Sequence, residues 1–154
     1  MFSYNKIHNA LVSLLLWTFG GTLYFFCEVI FKTLAHHPEN ISWTMLLLAL
    51  ILCIPLERFG CELPWEMPLI QQAFICSVMI TLMEFFVGGL LNIILQMHVW
   101  DYSHIPGNIL GQICPLFSFL WFIFAFFAIV IFDWIRYYVS GGEKPRYHFI
   151  TKDL

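Results

Sequence analysis

Three carboxylates and a small set of amides, one lysine and several histidines are the residues in this chain whose types could do chemistry. Glu28 and Lys32 stand four residues apart in an apolar run, the favourable order for an ion pair on one helical face. Glu84 lies near the middle of a second such run, on a stripe with Ser77, Thr81, Gly88, Asn92 and Gln96 at spacings of three and four. A lone carboxylate at that depth must find a partner or carry a proton, so the stripe is expected to face protein or water rather than acyl chains. A matching stripe in the first run holds Ser13, Trp17, Gly20, Tyr24, Glu28 and Lys32, and Asp101, Asn108, Gly111 and Gln112 follow the run that carries Glu84. Paired carboxylates in a desolvated pocket can do acid and base work. The same groups can equally bond across helices and only hold a bundle together. Both readings stay open, and no catalytic residue is assigned.

Other chemistry is poorly supported. His36, His37, Glu39, His98, Asp101 and His104 suggest a metal, but no HxxxH or HExxH spacing sets two of them on one helical face, so no metal site is assigned. Ser103 beside His104 is not a catalytic triad, because triads are made by spatial and not sequential adjacency. There is no glycine-rich phosphate loop, so the chain does not hydrolyse ATP by that mechanism, and no cofactor is expected. Five cysteines without CxxC spacing read as small apolar residues, not as a disulfide or zinc framework. No basic tract offers a surface to nucleic acid.

The elements that position these residues are membrane helices. Of 154 residues 60% are hydrophobic, 19% aromatic and 11% charged, with a mean hydropathy of +0.80. A soluble domain is about a quarter charged, and this chain has too few polar groups to cover a globular surface. The first apolar run continues past Gly20-Gly21 through Phe26, too long for a signal-peptide core, and reads as a retained helix. The expected architecture is an all-α integral membrane four-helix bundle forming one domain over 1–154. Its helices fall at about 10–32, 42–56, 69–98 and 108–138, with a cytoplasmic tail over 139–154. Pro38 breaks the chain after helix one, and helix two, ending at Pro55 or Leu56, is short for a span. Gly141-Gly142 closes helix four.

Basic residues set the orientation. With the N-terminus inside, Lys6, Arg58, Arg136, Lys144, Arg146 and Lys152 fall on the cytoplasmic side and Lys32 alone outside, which gives N-in and C-in. Trp134, Tyr137 and Tyr138 are then inner-face anchors, and Trp100 and Tyr102 outer ones. Glu28, Lys32, Asn92, Asp101 and Asn108 gather at the outer end with Glu84 deeper, an arrangement expected to form an outward-facing polar pocket. Asn40-Ile41-Ser42 is a glycosylation sequon on that side, expected to be unused because it abuts helix two.

Trp100-Asp101-Tyr102-Ser103, followed by Pro106, Asn108 and Gly111-Gln112-Ile113-Cys114, forms a recognisable signature. With Phe26-Cys27-Glu28-Val29, Glu57-Arg58, Glu84-Phe85, Gly88-Gly89 and Trp121, it resembles the CmpB-like, ABC-transporter type IV family of small bacterial membrane proteins. Small vertebrate four-pass membrane proteins share the pattern. Helix two is shorter and less glycine-rich here than in the bacterial pattern. The resemblance implies a multi-pass protein of the plasma or inner membrane with a transport-related, permease-like role. In that setting the partners are membrane lipids, a second copy of the chain, and a separate ATPase or other membrane protein docked on 57–68. The alternatives are a non-catalytic scaffold or regulator, and a membrane-embedded enzyme using Glu28, Glu84 and Asp101.

Overall fold

The computed structural model describes residues 2–34, 41–62, 66–141 and 143–149, with the side chains of 2–7 and 59–62 left undescribed. His36, His37, Glu39 and Asn40 therefore lie outside the described residues. Within them the chain is all-helical: α1 (Phe2–Leu34), α2 (Trp43–Glu62), α3 (Leu69–Gly88), continued by a π-helical turn over Gly89–Ile94, and α4 (Pro115–Ser140). His8–Leu34, Leu69–Ile94 and Pro115–Ser140 are long and apolar enough to cross a bilayer.

Four boundaries differ from those read in the sequence, the first being α1, which starts at Phe2 instead of near Ala10. α2 runs through Pro55 to Glu62. A proline costs the helix the bond to the carbonyl four residues back, but neighbouring helices in a membrane bundle compensate for such interruptions. Glu57 thereby becomes a helical residue that faces the core, not the first residue of a loop. Regular α3 gives way at Gly89 to wider π turns, and the helix stops at Ile94 instead of near His98. Gln96 and His98, beyond that stop, adopt positive φ. α4 starts at Pro115 instead of near Asn108, with the proline at the first helical position, where its missing N–H costs nothing. Its far end closes as expected: Gly141 takes the left-handed conformation at φ 65° and donates its N–H to Tyr137 O at 3.1 Å.

α1 packs on α2, α3 packs on α4, and α2 and α4 touch across the centre. Side-chain contacts fix alternating helix directions. The start of α1 (Ser13) meets the ends of α2 (Glu57) and α4 (Arg136), whereas the end of α1 (Lys32) meets Val99 beyond α3. The core is made of Leu16, Cys76, Ile80, Ala125 and Ile129, all almost wholly buried. Glycines set its spacing: a Cβ on Gly20 would come within 2.5 Å of the tip of the Phe132 ring, and one on Gly21 within 2.9 Å of the Leu50 backbone, so α1 and α2 meet at backbone distance there. The segment 143–149 folds back on the bundle. His148 C=O accepts the Leu69 N–H at 2.8 Å and satisfies one of the open donors at the start of α3.

Candidate functional site

Glu84 is the centre of the polar interior. It is 3% exposed, and both carboxylate oxygens accept a hydrogen bond: from the Tyr102 hydroxyl at 3.0 Å and from the Trp121 Nε1–H at 2.8 Å. The stripe that carries it is buried at Ser77, Glu84, Gly88 and Asn92, as the spacing requires. Its two partners come from the signature loop and from α4. Tyr102 stacks on Phe117 at 4.4 Å, and Trp121 lies 5.1 Å from the Tyr24 ring. Burial, and then the neighbouring Glu84 carboxylate, push the Tyr102 phenol above its ordinary value, so it remains a hydrogen-bond donor at neutral pH.

One helical turn beyond Tyr24, Glu28 pairs with Lys32 at 2.8 Å and accepts from the Tyr24 hydroxyl at 3.0 Å. Lys32 also donates to Val99 C=O at 3.2 Å, and the Val99 N–H donates to Asn92 Oδ1 at 2.7 Å. Asn92 in turn donates to Gln112 Oε1 at 2.8 Å. A bonded layer thus runs from α1 through Val99 to the π turn and the loop before α4. The π geometry accompanies this layer: the turn carries Asn92 inward toward both Val99 and Gln112.

The signature residues build the loop itself. Trp100 is 7% exposed and donates its Nε1–H to Gln112 C=O at 3.0 Å. Trp100 and Tyr102 thus turn inward and do not stand as interfacial anchors, because each has a polar hydrogen that finds its acceptor inside the bundle. Asp101 is exposed and accepts from the Ser103 N–H at 2.8 Å and the Ser103 hydroxyl at 2.9 Å. Those two bonds, the backbone one first, hold its carboxyl below the usual range. Asn108 donates to Ser103 O and Ile105 O and accepts from the Gly111 N–H. It braces the loop and not a helix start, since α4 begins later. Gly111, at φ 69°, has no room for a Cβ, which would lie 2.7 Å from Asp101 Oδ1.

Of the six residues expected to share a polar pocket, Glu28, Lys32 and Asn92 join through Val99. Glu84 sits deeper with partners of its own, and Asp101 and Asn108 fix the loop. A cavity of about 280 Å³ borders Glu84, and its other walls are almost wholly apolar. Among the described residues no three His, Cys, Asp or Glu side chains are grouped to hold a metal ion.

A second polar cluster was not expected from the sequence. Glu57, 4% exposed, pairs with Arg136 of α4 and accepts from Ser13 Oγ at 3.1 Å and Trp17 Nε1 at 3.4 Å. The signal lay in the α1 stripe, whose Ser13 and Trp17 needed a partner. It became readable only once α2 was seen to continue past Pro55. Asp133, likewise buried, accepts from the Tyr147 hydroxyl at 3.0 Å, and this bond ties the folded-back segment to α4.

Membrane-length apolar helices around bonded polar layers define an α-helical membrane protein. The chain belongs to the family described as "Putative ABC-transporter type IV", whose model matches residues 12–149. The family resemblance carried by the Trp-Asp-Tyr-Ser signature is thereby established. No curated protein and no solved structure matches the chain.

Proposed function

We propose that the chain is a transport-related subunit that crosses the plasma or inner membrane four times, with both termini in the cytoplasm. The observation that carries this reading is the family membership over 12–149. The alternating helix directions and the bias of basic residues to the Ser13 end of α1 support the orientation. In this reading a separate ATPase supplies the energy, as the family description suggests. The end of α2 and the segment after it, 57–68, form the connection expected to receive that partner. The outward layer of Glu28, Lys32 and Asn92 is the polar side of the subunit, and a path for solute forms between copies rather than through one small bundle.

The scaffold reading draws on a different observation: Glu28, Glu84 and Asp101 each have their own internal partners, as residues that serve packing do. Purification of the full chain from its own membrane separates the two readings. The transport reading expects an ATPase with a phosphate-binding loop to co-purify in stoichiometric amount and to be lost on Arg58→Glu. A folded chain that purifies without any nucleotide-hydrolysing partner would overturn transport in favour of the scaffold.

A further inference from the structure

The cavity beside Glu84 has a shape and a wall chemistry that neither reading uses. Its floor is formed by buried residues of α2 and α3, among them Leu48, Leu52, Cys53 and Ile80. Its rim is formed by α1 and α4. There Phe19 and Leu23 face Phe124, Phe127 and Ile131, and all five are substantially exposed on the apolar surface of the bundle. The opening therefore faces the bilayer interior and not water. The two polar atoms of Glu84 are already engaged by Tyr102 and Trp121, and the Tyr24 hydroxyl by Glu28. An occupant is thus offered apolar contact and little else.

The dimensions limit what that occupant can be. The lining runs on α4 from Trp121 to Phe132 and on α2 from Met45 to Leu56, each on the order of 16 Å of helix rise. Spread over that length, the space open to water centres has a mean cross-section on the order of 17 Å², a slot roughly 7–8 Å wide once a water radius of about 1.4 Å is added on each side, whereas a helix with its side chains is about 10–12 Å across. A helix from a second copy does not fit. One methylene chain does, and hydrocarbon chains are what surrounds the opening.

We infer that this slot is a binding site for a single hydrocarbon chain of a membrane lipid, entering sideways between α1 and α4. Such a chain replaces missing packing along the slot and gains contact with the buried floor, where an empty slot forfeits it. A lipid held there serves a transporter or a scaffold equally.

The test uses the full chain in phosphatidylcholine vesicles, with a photoactivatable diazirine on the lipid chain and adducts mapped by peptide mass spectrometry. Adducts on the floor residues Leu48, Leu52, Cys53 or Ile80 are expected, together with adducts on outward residues such as Leu82 and Phe86. Ala128→Trp, which fills the slot from α4, is expected to lose the floor adducts while the outward ones persist. Ala128→Leu serves if the larger substitution fails to fold, and the unchanged outward pattern reports folding in both. Labelling confined to outward residues, or floor labelling equal in the filled variant, would overturn the proposal. So would a floor labelled by a diazirine sterol in parallel vesicles but not by the phosphatidylcholine probe.

Discussion

Glu57 and Glu28 are both ion-paired, but the two pairs do different things. Glu28 and Lys32 belong to one helix, and each has a further bond, to Tyr24 and to Val99. Both side chains of that pair are only 12% exposed, so Glu28→Ala, which also removes the acceptor of the Tyr24 hydroxyl, is expected to cost about 2 kcal/mol. Glu57 joins α1, α2 and α4 through Ser13, Trp17 and Arg136. Its removal leaves Arg136 facing a low-dielectric interior. Glu57→Ala is expected to cost about 3 kcal/mol, the low end for a broken buried pair because Arg136 keeps some exposure. Equilibrium unfolding in mixed micelles measures both, and a smaller loss from Glu57→Ala than from Glu28→Ala would contradict the assignment of Glu57 as the inner tie.

Asp101 gives a pH dependence with a definite sign. Its carboxyl is held below the usual range in the folded loop by the bonds from Ser103. The loop stabilisation is therefore fully present above the ordinary carboxylate pKa and is lost as pH falls through the lowered folded value. Protection of the Ser103 amide from hydrogen exchange is expected to hold at neutral pH and to fade in acid. Asp101→Asn is expected to weaken that protection across the range and to remove the acid transition.

At the scale of elements, the π turn and the signature loop act as one unit held by close approach. A Cβ on Gly88 would lie 2.5 Å from Gln112 Oε1 and 2.9 Å from the Trp100 ring, displacing the acceptor that Asn92 uses. Gly88→Leu is expected to destabilise by about 1–3 kcal/mol through overpacking and to loosen the loop over 95–114. Gly89, with nothing near its Cβ position, is expected to tolerate alanine. Thermal melts of the two variants check the contrast.

Periodicity was a sufficient guide to α3, because the spacing of Ser77, Glu84, Gly88 and Asn92 describes a helix face wherever the helix sits. It failed at Gln96, because the helix widens at Gly89 and stops at Ile94, which no local propensity announces. Pro55 misled in the other direction. Its local cost is real, but packing of α2 on α1 and α4 outweighs it, and Glu57 was read as loop for that reason. The partners of Glu84 were illegible too: Tyr102 and Trp121 are distant in sequence, and only the fold brings their polar hydrogens to one carboxylate. The Glu28–Lys32 pair needed no fold, since helical spacing alone made it.

For the whole molecule, the proposed orientation rests on the asymmetry of a few charges. Arg58 and Arg136 lie within α2 and α4 near the ends that meet the start of α1, Lys144 and Arg146 follow α4 there, and Lys32 marks the opposite end. The family is the one described as "Putative ABC-transporter type IV", and the folded-back segment ties the chain's far end to the bundle through Tyr147 and His148. An even number of crossings is the consequence on which the proposed function depends, and α2 is the helix that decides it. The most direct measurement is side-specific thiol labelling of single cysteines introduced at Asn9, Ser42, His104 and Lys144 after replacement of the five native ones. In intact cells Ser42→Cys and His104→Cys are expected to react with an impermeant reagent, and Asn9→Cys and Lys144→Cys only after permeabilisation. Labelling of Asn9→Cys and Lys144→Cys from opposite faces would mean that α2 does not cross, and would contradict the four-pass account.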